Sequence, residues 1–216
     1  GLPEYDSADT SLWYFWAVQQ LLKHSGDLET IRNRMWPVMK GILRNFTAGT
    51  AFDIYMSNNG LLHAGGDDIC LTWMDAVAGG KPVVVRGGYP VEINALWYNA
   101  VCFAAELAGR FGEDEFPFSD LITNLRQSFQ DIFWIEKEGY LGDVFRNGSL
   151  DHALRPNQIL AVSLPFSPLA PSQQRQVVNK VEQLLLTPCG LRTLSPKDGR
   201  YSGLYCGEAV SRDGDY

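Results

Sequence analysis

The sequence predicts an all-α protein of the α/α toroid type, present here as an incomplete ring of about three helical hairpins. Three features carry that expectation. Apolar residues recur at helical spacing in six segments. The first, third and fifth of these are nearly free of charge on every face, whereas the second, fourth and sixth are amphipathic, so inner helices alternate with outer ones. The connections alternate as well: short links fall near residues 25–27, 112–118 and 167–171, and long ones at 57–91, 136–155 and 187–216. Short links make antiparallel hairpins, which brings every long loop to the same rim.

In order, "SLWYFWAVQQLL" (11–22) is the first helix, and the second starts after "WP", where Pro37 suits a first turn. The second is expected to bury Val38, Met39, Ile42, Leu43 and Phe46. "EINALWYNAVCFAAELAGRF" (92–111) is the third, with Trp97 in its core register as Trp13 is in the first. "SDLITNLRQSFQDIFWI" follows from an expected Ser119 cap, then "RPNQILAVSLPF" (155–166), then "SQQRQVVNKVEQLLL" from an expected Ser172 cap. "PVVV" (82–85) makes at most a short loop strand.

With 45% hydrophobic and 12% aromatic residues the chain can build one core, so it is one domain or part of one. Opening on "GLPEYDSADT" and closing on "SRDGDY", it reads as a piece of something longer. A net charge of -7 argues against a nucleic-acid or anionic-membrane surface, since both require clustered Lys and Arg. No apolar run has bilayer length and the N-terminus lacks a signal pattern, which points to the cytoplasm. Cys70, Cys102, Cys189 and Cys206 are far apart, and with three histidines they offer no zinc spacing. Buried free thiols are expected, with no metal and no cofactor; "GGDD" and "GGYP" fit neither dinucleotide nor P-loop spacing.

The long loops hold Trp73, Asp75, Arg86, Tyr89, Tyr140, Asp143, Tyr201 and Tyr205. Aromatic faces beside acids and amides suit sugars, whose rings offer apolar C–H faces and many hydroxyls. Asp75 stands out. Flanked by Trp73 and Met74, it is expected to be partly desolvated, which keeps a carboxyl protonated and fit for a general acid. The plainer reading is an acid that caps a turn. Glu92 and Asp9 are helix first-turn acids that also lie at the rim. Asn157 and Gln158 open an otherwise apolar inner helix, where buried amides need either backbone or sugar partners. His63 and His152 have no nucleophile beside them in the sequence, so a triad is unsupported.

Five blocks, "YDSADTSLW", "NGLLHAGGDDICLTWMDA", "GGYPVEINALWYNAV", "LRPNQILAVSLPFSPL" and "TPCGLRTLSP", resemble the C-terminal amylo-α-1,6-glucosidase domain of glycogen debranching enzymes. They run in the same order from residue 5 to residue 196. The resemblance implies an (α/α)6 barrel that releases the single α-1,6-linked glucose at a glycogen branch point, with inversion. It makes Asp75, in the "WMD" motif, the general acid. It places Asp9, Trp73, Arg86, Glu92, Asn157 and Gln158 in the substrate pocket, and an α-glucan as the partner. It also implies a glutamate general base beyond residue 216 and a first inner helix before residue 1, so that residues 1–216 are part of one catalytic domain and inactive alone. "YDS" stands where "YNS" is usual, and "VVVRGGYP" where a "TPR-x-GKP" type segment is usual. Two other readings remain open: a sugar-binding helical module without catalysis, and a toroidal glucosidase of trehalase type with another α-glucoside as substrate.

Overall fold

The computed structural model describes residues 7–66, 68–113, 118–204 and 206–208. Tyr205 and the closing "SRDGDY" lie outside them.

Helix α1 spans Thr10–Ser25. It stops at Gly26, which takes the left-handed φ of 67° that a helix end requires and returns its N–H to the Leu22 carbonyl. The chain reverses at once, because the Asp27 side chain accepts the Thr30 N–H and starts the short turn α2 (Leu28–Thr30). A π-helical stretch, Ile31–Met35, leads into α3 (Trp36–Ala48), with Pro37 in the first turn as expected. Helix α3 buries Met39, Leu43 and Phe46, but Val38 is 48% exposed, since it sits about 100° around the helix from Met39.

Helix α4 (Val91–Phe111) is the spine, and every residue from Val91 to Ala104 is buried. Helix α5 (Phe118–Phe133) packs Leu125, Phe129 and Phe133 against it. Ser119 is not its cap: the helix already includes Phe118, and the Ser119 carbonyl accepts the Thr123 hydroxyl inside the first turn. The fifth segment is shorter than its periodicity suggests. A 3-10 turn (Pro156–Ile159) runs into α6 (Leu160–Ser163), and Pro165 forces Leu164 into an extended conformation. Helix α7 (Pro171–Leu185) begins on its proline, and Gln173 rather than Ser172 closes the end by accepting the Ala170 N–H.

The helices pair as α1 with α2 and α3, α4 with α5, and α6 with α7, the three hairpins of a partial α/α toroid. The inner helices differ, however. Helix α1 buries only Leu12, Phe15, Val18 and Gln19, and leaves Trp16 and Leu21 exposed. A buried amide pair, Gln19 with Asn99, fastens it to α4 through bonds of 2.9 and 3.2 Å.

The long loops contain eleven short strands among the described residues, more order than the sequence suggested. β1 (Tyr55–Met56) pairs with β2 (Leu62–His63), and an Ala64 to Gly88 bridge carries that ribbon onto β5 (Tyr89–Pro90). β5 pairs with β8 (Val144–Arg146) and β8 with β9 (Ser149–Asp151), which joins the first long loop to the second. The third is tied on by the Ser195 N–H to the Leu154 carbonyl and by Arg200 to Asp151. All three loops therefore share one rim. The "PVVV" segment contributes only to β4 (Lys81–Pro82), paired with β3 (Val77–Ala78). The Gly87–Gly88 pair has a steric cause: a Cβ on Gly87 would stand 2.3 Å from the Gly66 carbonyl oxygen, and one on Gly88 (φ 114°) 2.7 Å from that of Phe145.

Of the cysteines, Cys102 is buried, Cys70 is half-buried, and Cys189 and Cys206 are exposed. The expectation of four buried thiols fails for the last two because they sit in the third long loop, outside the helical core.

Candidate active site

At the top of α4, Glu92 is 1% exposed, and Arg86 at the end of the first long loop reaches it at 2.5 Å. The other arm of the Arg86 guanidinium donates to Asp143 of the second loop. Asp143 also accepts from Asn157 Nδ2 at 2.7 Å, and Asn157 Oδ1 accepts from the Trp73 indole N–H at 2.9 Å. A continuous chain of polar contacts thus runs from Glu92 through Arg86, Asp143 and Asn157 to Trp73. Met74 lies beneath it, with its sulfur 3.2 Å from Asn157 Nδ2. Arg155 completes the cluster, its Nε 3.5 Å from Asp143 and its Nη1 donating to the Thr193 carbonyl.

The electrostatics follow from burial. Burial works against the Arg86 charge, but Asp143 and Glu92 outweigh it and hold the guanidinium protonated above its usual range. Glu92 fares differently. Its carboxyl is pushed up to about 7 in all: burial raises it most, Arg86 pulls it down, and the negative charges of Asp143 and Asp9 push it up. Its second oxygen, Oε1, is buried and accepts no hydrogen bond. Burial lowers the affinity of Arg155 for its proton, opposed by Asp143 and assisted by Arg86.

Two cavities meet here. One, of about 380 Å³, is lined by Trp13 of α1, Leu96 and Glu92 of α4, and Asn157, Ile159 and Leu160. The other, of about 340 Å³, is lined by Ser7, Cys70, Thr72 and Asp75. Asp9 and Trp73 line both. The first is largely apolar and the second is polar.

The expected residues sort accordingly. Asp9, Trp73, Glu92 and Asn157 gather at the cavities, and Asp75 stands beside them. Arg86 lies under the site rather than in it: it is 4% exposed, borders neither cavity, and engages Nη1 and Nη2 with Asp143 and Glu92. Gln158 turns away: its Oε1 accepts the Leu141 N–H and its Nε2 donates to the Arg155 carbonyl, since the 3-10 turn rotates it about 120° from Asn157. The expected desolvation of Asp75 is not found. Residues 71–75 are irregular, with a bend at Thr72 and Trp73; Met74 is buried, whereas Trp73, 44% exposed, and Asp75 are exposed. Asp9 does not cap its helix through its side chain; it accepts from Ser7 Oγ at 2.5 Å, and Ser7 takes the Thr10 N–H instead.

Trp97 is core, as expected, with its indole N–H on the Gly60 carbonyl. Trp13 is only half-buried and faces the first cavity, against the expectation of a core position. Tyr140 is fixed by its hydroxyl to the His152 carbonyl. His63 Nδ1 lies 2.8 Å from the Asp53 carbonyl oxygen while its ring stacks on Tyr55, so neither loop histidine enters the site. Asp143 ties Arg86, Asn157 and Arg155 together and was legible only as one loop acid among several. Asn94, whose amide pairs with both backbone groups of Leu62 and so pins the first loop to α4, carried no signal beyond its place in an apolar helix. Among the described residues, no cluster of three or more His, Cys, Asp or Glu is arranged to hold a metal. No helix among them is long and apolar enough to cross a membrane.

Helical hairpins with a loop rim, aromatic walls, amides and carboxylates define a domain of glycoside hydrolase type. The chain belongs to the amylo-alpha-1,6-glucosidase family, whose model matches residues 1–216. A glycogen debranching enzyme of Saccharomyces cerevisiae is 28% identical over an alignment that takes in 68% of this chain and 12% of that protein. The chain therefore spans about an eighth of the length of that relative. Among solved structures, a GH78 family rhamnosidase of Bacillus sp. GL1 superposes with a TM-score of 0.63 at 16% identity, over 87% of this chain and 18% of its own. A rhamnosidase from Klebsiella oxytoca with rhamnose bound gives 0.55 at 17%, over 82% and 30%. At these identities the likeness is one of fold.

Proposed function

We propose that this chain forms part of an amylo-α-1,6-glucosidase site that releases glucose from the α-1,6 branch points of glycogen or a related α-glucan, with inversion. The observation that carries the reading is the pair of cavities sharing Trp73 and Asp9, with Asp75 lining one and Glu92 bordering the other. Asp75 is the general acid. It is exposed and lines the polar cavity, where a sugar can be seated beside it. The proton passes from Asp75 to the glycosidic oxygen, the C1–O bond breaks, and water adds to C1 from the opposite face. A second carboxylate, roughly 6.5–9.5 Å from the first, takes the proton of that water.

The test is glucose release from a maltooligosaccharide bearing one α-1,6-linked glucosyl branch, by a longer protein that includes this chain. Release from the branched sugar, with none from its unbranched counterpart, supports the reading. Turnover of neither sugar, with binding of both, turns the reading to a sugar-binding module.

A further inference from the structure

A third cavity, of about 620 Å³, lies against the β8–β9 hairpin and shares no lining residue with the other two. Arg146, Arg155 and Arg200 line it, with Asp151 as the acid among them, in a chain whose net charge is -7. We propose that this cavity is a binding site for a phosphate group, free or as the monoester of a small molecule. The site stands apart from the hydrolase reading, and neither depends on the other.

Arg155 is 4% exposed, and a buried cation requires a counter-charge. Asp143 supplies only part of one: it already accepts from Arg86 and Asn157, and it lies 3.5 Å from Arg155 Nε, which makes no hydrogen bond. Among the described residues the guanidinium donates once, from Nη1 to the neutral Thr193 carbonyl at 3.1 Å. Nη2 is left as the donor that an oxyanion in the cavity can take. Burial lowers the hold of Arg155 on its proton; Asp143 opposes this, and Arg86 and Arg200 add to it. A bound anion relieves that deficit. The acid in the lining repels such a guest little, because Asp151 is occupied: it accepts both Arg200 Nη groups at 3.0 Å and the Ala153 N–H. The excess of cations in the lining matches a phosphate monoester, about -1.5 to -2 at pH 7, better than a singly charged carboxylate. Guanidinium forks also suit phosphate oxygens. A water molecule occupies about 30 Å³ in the liquid, so the cavity exceeds what a bare oxyanion fills. Val85, Val144 and Leu194 offer aliphatic surface to an organic body beside it.

Isothermal titration of a longer protein that includes this chain tests the site, with glucose 6-phosphate and inorganic phosphate as probes and with glucose and glucuronate as uncharged and singly charged controls. Arg155→Met removes the buried donor. Ser149→Glu keeps every arginine and sets a negative charge at the cavity wall from an exposed position in β9, so it leaves the core intact. Each variant should weaken glucose 6-phosphate by about 10-fold or more and change glucose binding by less than about 3-fold. Inorganic phosphate bound as tightly as the ester assigns the site to free phosphate, and weaker binding of the bare ion assigns it to the ester. Binding of neither at millimolar concentration, binding untouched by Ser149→Glu, or glucuronate bound as tightly as the ester would overturn the proposal.

Discussion

Helix α4 and the ionic cluster at its head are both deeply buried, yet they are held by opposite means. Along α4, Ile93, Leu96, Trp97, Ala100, Val101 and Ala104 pack against apolar neighbours from α1, α5 and α6. At the rim, Arg86, Glu92, Asp143 and Arg155 are as deeply buried, but they hold one another by charge and hydrogen bonds. Apolar packing is tolerant in detail and strong in sum. A buried ionic network adds little net stability, because desolvation offsets most of the attraction, yet it is exacting in geometry. The scaffold therefore sets whether the chain folds, and the rim sets where Trp73 and Glu92 point.

That contrast can be broken most forcefully at Arg86. Replacing it with Met leaves Glu92 and Asp143 buried without their cation, and should cost about 3–5 kcal/mol in urea denaturation. A loss under about 1 kcal/mol would mean that the rim is no more exacting than ordinary packing. Next comes pH. The Glu92 carboxyl sits at about 7 in the folded chain against 4.5 as its ordinary value, so the folded state holds the extra proton between those limits. The sign follows: the contribution of Glu92 is fully present below 4.5 and is lost as pH rises through about 7. Stability should decline over that window in the wild type, and Glu92→Gln, which cannot ionise, should flatten the decline. The smallest effect is expected at Arg200, which bridges Asp151 at 3.0 Å and Asp198 at 2.8 Å from a side chain 55% exposed. Solvent screens such pairs, so Arg200→Gln should change the denaturation free energy by less than about 1 kcal/mol. A larger loss would place the third loop among the parts that hold the fold.

The helical hairpins were legible because helix periodicity and freedom from charge are local properties of the chain, and α4 shows both. What those properties omit is coverage. Helix α1 carries the same signature, yet it exposes Trp16 and Leu21 and turns Trp13 to a cavity, since enclosure depends on what packs beside a helix. The caps at Ser119 and Ser172 failed because Phe118 is already helical and Pro171 already fits a first turn. At the site, the gathering of Asp9, Trp73, Glu92 and Asn157 was legible from loop chemistry and resemblance. The links between them were not: Asp143 lies 57 residues from Arg86, and no spacing rule reaches across that distance. Gln158 was separable from Asn157 only through the 3-10 turn, which the apolar run after "RPNQ" disguised as a longer helix.

The account turns on whether Asp75 donates a proton. In a longer protein that includes this chain, Asp75→Asn should be compared with wild type on the branched maltooligosaccharide and on α-glucosyl fluoride, whose fluoride leaves without protonation. The account predicts a loss of about 10²- to 10⁴-fold in kcat on the branched sugar with KM little changed, and a much smaller loss on the fluoride. Equal losses on both substrates, or no loss on the branched sugar, would contradict it and make Asp75 a residue of structure alone.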